Sequence, residues 1–97
     1  MAHWKINVVN EALKEFYNLP TPMRTRIREV LRVETCKEYP CGKALVGCPG
    51  WYSLRIGKYR LVYAPYHDEV HIMLITSVGL HEDVYREIHR RYDRYGR

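Results

Sequence analysis

The chain has 97 residues, 46% of them apolar, and carries 16 Lys and Arg against 11 Asp and Glu for a net charge of +5. That suffices for one domain, 1–97, with a modest core. No apolar run reaches membrane-spanning length, and His3-Trp4-Lys5 leads straight into a strand-like pattern rather than a signal peptide, so a cytoplasmic protein without a membrane partner is expected. The surplus charge is mostly arginine and implies an anionic partner. Nucleic acid is the commonest one, and an acidic protein would also serve.

Trp4 to Val8 alternates and predicts a first strand. Asn10 suits an N-cap, and Ala12, Leu13, Phe16 and Tyr17 recur at helical spacing, so 11–19 is expected to be a short amphipathic helix. Leu19-Pro20-Thr21-Pro22 breaks it, with Thr21 able to cap a second helix that has Pro22 in its first position. On that helix Met23, Ile27, Val30, Leu31 and Glu34 share one face. Arg24, Arg28 and Arg32 line another, as a solvated row or as help in holding an RNA backbone. Residues 36–50 carry Pro40, Gly42, Gly47, Pro49 and Gly50 and read as the longest loop, with Lys43 in it; loops of this length are often functional. The odd count of Cys36, Cys41 and Cys48 argues against a secreted disulfide framework. Their spacing matches no compact zinc knuckle, and His67 and His71 complete a site only on paper, so neither metal nor cofactor is expected.

Three strands follow. Tyr52–Ile56 and Tyr59–Ala64 flank Gly57-Lys58, a Gly-X loop that favours a type II′ turn. Tyr52, Leu54, Ile56, Tyr59, Leu61 and Tyr63 then share the core face, and Ser53, Arg55, Arg60 and Val62 the other. In this register Arg55 lies directly opposite Arg60, where like charges cost about a few tenths of a kcal/mol or more. A bidentate phosphate would offset that cost, as would nearby carboxylates or plain solvation. Pro65–Glu69 reads as a turn, and Val70–Val78, apolar on both faces, as a central buried strand ended by Gly79. Its register against 59–64 is open, since a one-residue slip swaps its faces. His81-Glu82-Asp83 opens a final helix with the apolar stripe Val84, Ile88 and Tyr92. Arg86, Arg90, Arg91, Arg94 and Arg97 make its far end basic. The expected fold is α+β: a small, mainly antiparallel sheet with an N-terminal helical hairpin and a C-terminal helix.

Metal-free RNA cleavage needs a base for the ribose 2′-OH, cations for the phosphate and an acid for the leaving 5′-oxygen. Arg55 and Arg60 could supply the cations. His81 is of the residue type whose reference value suits acid–base work, and Tyr85 lies at i+4 from it on the same helix face. Tyr85 is ordinarily a poor base, with a reference pKa of about 10, but close arginines would stabilise its phenolate. A solvated histidine and a core tyrosine are the plainer alternatives. The other histidines read as structural or solvated.

The run Gly50 to Tyr63 (GWYSLRIGKYRLVY), the later Thr76-Ser77-Val78-Gly79 and Val84-Tyr85, and the early Ala12 to Phe16 with Leu19-Pro20 resemble the RelE/ParE superfamily of toxins. So do Pro40, Gly42, Lys43, Leu45 and Gly47, and the likeness spans nearly the whole chain in order. The resemblance implies the RelE-like fold and, in RelE-like members, a ribosome-dependent endoribonuclease that cuts mRNA in the A site by 2′-OH attack and is silenced by a cognate antitoxin. It makes Arg60 the transition-state arginine and Tyr85 the general base, with His81 where RelE has another arginine. RelE's two hairpin lysines correspond to Ser53 and Arg55, so Arg55 would act as a phosphate clamp. Ser53, Lys58 and Lys43 are the expected RNA contacts, and the ribosome with its mRNA and ribosomal RNA the expected partner. The alternatives are a ParE-like inhibitor of DNA gyrase without nuclease activity and an inactive partner-binding remnant.

Overall fold

The Gly57-Lys58 turn closes the expected hairpin: Arg55 pairs with Arg60 and Ile56 with Tyr59. Only Gly57 of the two turn residues has positive φ, at +64°, as a type II′ turn requires. In the computed structural model, which describes residues 3–67 and 70–96, the hairpin is part of a five-stranded sheet. Its strands are β1 (Lys5–Val8), β2 (Lys43–Ala44), β3 (Tyr52–Ile56), β4 (Tyr59–His67) and β5 (His71–Leu80), in the order β1-β5-β4-β3-β2. β1 runs parallel to β5, and the other neighbours are antiparallel. The helices are α1 (Asn10–Tyr17), α2 (Thr21–Glu34) and α3 (His81–Tyr95). None of them is long and apolar enough to cross a membrane.

The period-two pattern of the hairpin divides the apolar residues between two cores. Leu54, Ile56, Leu61, Tyr63, Met73, Ile75 and Val78 pack with Ala12, Ile27 and Leu31 of the helical hairpin. Val62 and Ala64 face the other way, onto Val84 and Ile88 of α3 and onto Leu45, Cys48 and Trp51. At one end of the sheet Trp4 stacks on His71 and meets His67 edge-on, both at 4.9 Å, while its indole N–H donates to the Lys37 carbonyl at 3.1 Å. His67 and His71 thus have packing roles.

Several expectations require correction. The segment 36–50 is not all loop, because Lys43 and Ala44 pair with Ser53 and Tyr52. The turn expected at Pro65–Glu69 begins later: Pro65, Tyr66 and His67 continue β4 against Met73, Ile72 and His71, while Asp68 and Glu69 lie outside the described residues. β3 stops pairing at Tyr63, so β4 is an edge at Pro65 and the missing N–H costs little. Gly79 does not end β5; it pairs with Arg60, and the strand runs to Leu80. Asn10 and Thr21 lie inside their helices, behind Val9 and Pro20 as N-caps without side-chain bonds. The Arg24 row is not free: Arg24 donates to the Tyr17 and Leu19 carbonyls, capping α1, and Arg28 lies over the Phe16 ring at 5.2 Å.

The register of β5 is decided by a bulge. Val62 pairs with Ser77 but Tyr63 pairs with Ile75, which leaves Thr76 as an extra residue. The bulge lets Val78 and Ile75 both reach the helical-hairpin core, which strict alternation forbids. Arg91, expected at an exposed basic end, is instead buried beneath it. Its guanidinium donates to the Thr76 carbonyl at 3.0 Å and grips Glu15 of α1 through two bonds of 2.8 Å. Glu15 also accepts the Val78 N–H at 3.1 Å, where β5 extends beyond β1.

Losing Arg91 leaves Glu15 without its counter-charge and the bulge carbonyl without its donor. Arg91→Met is expected to lower unfolding stability by roughly 2–3 kcal/mol, and Glu15→Gln by about 1–2. Urea denaturation of both single variants and the double variant checks this: the double should lose clearly less than the sum. Strict additivity would show that the pair does not couple.

Candidate active site

Cross-strand neighbours share a face, and so do residues two apart along a strand. The pairings Lys43–Ser53 and Arg55–Arg60–Gly79 therefore put two adjacent rows on the α3 side of the sheet. Gly79 adds no side chain beside Arg60. Lys43, Ser53, Arg55 and Arg60 line a cleft of about 640 Å³, together with Tyr85 from α3 and Val46 on the loop. The sequence-predicted residues missing from its lining are Lys58, at the hairpin turn, and His81. His81 still touches the site: its ring meets that of Tyr85 edge-on at 4.4 Å, the i,i+4 contact expected on one helix face.

The electrostatics of the cleft are one-sided. Among the described residues no carboxylate comes within 4.0 Å of Lys43, Arg55 or Arg60. Glu34 also lines the cleft but is already engaged with the Lys37 ammonium at 2.7 Å and the Cys41 N–H at 2.7 Å. Of the offsets open for the facing arginines, neighbouring carboxylates are thus absent among the described residues. An anion entering the cleft would meet three unsatisfied cations, a hydroxyl and a phenol. Nowhere among the described residues do three or more His, Cys, Asp or Glu side chains gather as metal ligands would.

Lys43 owes its position to a backbone clamp that the sequence reading missed. Glu34 accepts the Cys41 N–H, and the Tyr63 hydroxyl accepts the Gly42 N–H at 3.0 Å. A Cβ at Gly42 would lie 2.5 Å from that hydroxyl, so only glycine lets the loop descend onto β3 here. Burial pushes the Tyr63 hydroxyl up to about 12. The hydrogen bonds that the Lys37 ammonium donates to Glu34, then to Cys41, raise it above its ordinary value. Glu34, a lone carboxylate in an otherwise apolar helix stripe, was the signal that could have revealed the clamp.

No family model matches the chain, and no curated protein matches it. Solved structures do. The chain is 30% identical to a free-state double mutant of the E. coli toxin RelE, with a TM-score of 0.73 over 94% of this chain and 98% of that one. It is 28% identical to a chain of the intact E. coli RelBE toxin-antitoxin complex, with a TM-score of 0.64 over 79% of this chain and 95% of that one. The RelBE2 toxin-antitoxin complex of Mycobacterium tuberculosis shares the fold at 23% identity and a TM-score of 0.70, over 81% and 99% of the two chains.

Tyr63→Phe removes the acceptor for a backbone N–H and is expected to cost about 1–2 kcal/mol in denaturant unfolding. The pH dependence has a definite sign. Because the folded value, about 12, lies above the unfolded value of about 10, the Tyr63 contribution is complete below pH ~10 and lost as pH rises toward 12. Wild-type stability should therefore fall across that window more steeply than that of Tyr63→Phe. Parallel curves for the two proteins would contradict the burial of the Tyr63 hydroxyl, which is what raises its value.

Proposed function

We propose that this chain, which belongs to the RelE toxin superfamily, is the toxin of a type II toxin–antitoxin pair and cuts mRNA on the ribosome by attack of a ribose 2′-OH on the adjacent phosphate. The observation that carries the reading is the convergence of Lys43, Ser53, Arg55, Arg60 and Tyr85 on one cleft whose arginines have no carboxylate partner among the described residues. Arg55 and Arg60 face each other across the hairpin, so both can hold non-bridging oxygens of one phosphate. Their charge is most valuable when the phosphorane gains negative charge, which favours the transition state over the bound strand. Lys43 and Ser53, one row further, extend the grip along the backbone.

Tyr85, on the cleft wall, takes the 2′-OH proton. The new O–P bond forms as the bond to the 5′-oxygen breaks, leaving a cyclic phosphate and a free 5′-hydroxyl. His81, in ring contact with Tyr85 but off the cleft wall, is the second acid–base group and supplies the leaving oxygen's proton. The proposed partners are the ribosome with its mRNA and ribosomal RNA, and a cognate antitoxin, since the solved relatives include RelBE toxin-antitoxin complexes.

Primer extension on an mRNA in a translation reaction tests this. Wild-type protein should cut within codons only when ribosomes are present. Arg60→Ala and Tyr85→Phe should each reduce cutting by about 100-fold or more while keeping the wild-type circular dichroism. Full cleavage by both variants sinks the residue assignment. Intact mRNA with folded wild-type protein sinks the nuclease reading, and concurrent loss of gyrase supercoiling would replace it with the ParE-like one.

A further inference from the structure

The unpaired positive charge is not where the arginine count of α3 suggests. Arg86, Arg90 and Arg94 are each paired, with Asp83, Glu87 and Glu11 respectively, and Arg91 is buried on Glu15. Among the described residues several cations without a carboxylate partner meet at the hairpin, while Lys5, Lys14, Arg24, Arg28 and Arg32 stand elsewhere. Arg55 and Arg60 stand in the cleft, Lys58 at the turn, and Arg26 reaches the same turn from α2 in the opposite layer.

Arg26 Nη1 lies 3.2 Å from where a Cβ would sit on Gly57, so its guanidinium rests against the turn that separates the two layers. Its neighbour Ile27 is 1% exposed in the helical-hairpin core, which fixes the part of α2 from which Arg26 projects. Glu29, one helical turn on, makes no ion pair with it.

We propose that an RNA backbone held by Arg55 and Arg60 leaves the cleft over the β3–β4 turn, passes Lys58 and continues onto Arg26, which positions the strand, while the arginines of α3 take no part. This rests on the reading of the cleft as an RNA site. A phosphate chain suits the corner better than an acidic protein does. Arg26, Gly57 and Lys58 bring no exposed large apolar side chain to it, and protein interfaces have an apolar centre where a nucleic-acid backbone needs only charge.

The test is fluorescence anisotropy with a labelled single-stranded 2′-O-methyl RNA, which cannot be cut by 2′-OH attack, titrated at salt concentrations from about 50 to about 300 mM. Arg26→Ala should weaken binding several-fold at low salt and reduce the slope of log K against log salt by about 0.7, the signature of one lost phosphate contact on a single strand. Arg26→Lys should restore the slope, and Arg90→Ala should leave it unchanged. An unaltered slope in Arg26→Ala, an equal loss in Arg90→Ala, or no binding by the wild type overturns the proposal. Because the probe is uncleavable, a wild type that binds it with this pattern yet leaves ribosome-bound mRNA whole overturns the nuclease reading alone.

Discussion

Glu15 and Arg91 meet between α1 and α3, and much of the rest of the molecule follows from where they meet. β1 is only four residues long and pairs with Ile72–Ile75, so the edge of β5 beyond it would be open. Glu15 closes part of that edge by accepting the Val78 N–H, and Arg91 takes the carbonyl of the bulged Thr76. One ion pair thus ties two helices to the only irregular step of the β4–β5 ladder. The phase of β5 on the far side of the bulge decides that Gly79 stands beside Arg60, which in turn leaves the cleft open at that point.

The cleft combines groups that stability alone would separate. Two arginines face each other across a hairpin with no carboxylate within 4.0 Å of them among the described residues, although the chain has 11 acidic residues and uses several to neutralise α3. Distributing the acids in this way leaves Arg55, Arg60 and Lys43 unpaired in the cleft among the described residues. An isolated opposed pair costs little when solvated, and it becomes strongly favourable to an anion that displaces water from between the two guanidinium groups.

The segment between α2 and β3 shows how a loop can be made rigid enough to present a side chain. Its backbone N–H groups at Cys41 and Gly42 are taken by Glu34 and Tyr63, two groups rooted in regular structure. Trp51 and Cys48 bury its far half under α3, and Tyr92 donates to the Pro49 carbonyl at 2.8 Å. Lys43 is therefore held by both cores, and its register on Ser53 is a property of the whole domain.

Local physics determined what could be read from the chain alone. The α+β class, the helical hairpin, the β3–β4 turn with its opposed arginines, and the His81–Tyr85 contact all depend on residues within a few positions of one another, where turn chemistry and periodicity act directly. The likeness of Gly50–Tyr63 to RelE toxins belongs to the same local stretch. Tertiary structure decided the rest. The face presented by β5 hangs on a single extra residue at Thr76. The burial of Arg91 and the pairing of Arg94 depend on carboxylates 76 and 83 positions away in sequence. Lys43 became part of a strand only because Tyr63, 21 residues from Gly42, accepts that glycine's N–H. Charge along one helix can be counted from sequence, and so can the i,i+3 partners of Arg86 and Arg90, but whether Arg91 and Arg94 are free depends on which distant carboxylate the fold brings to them.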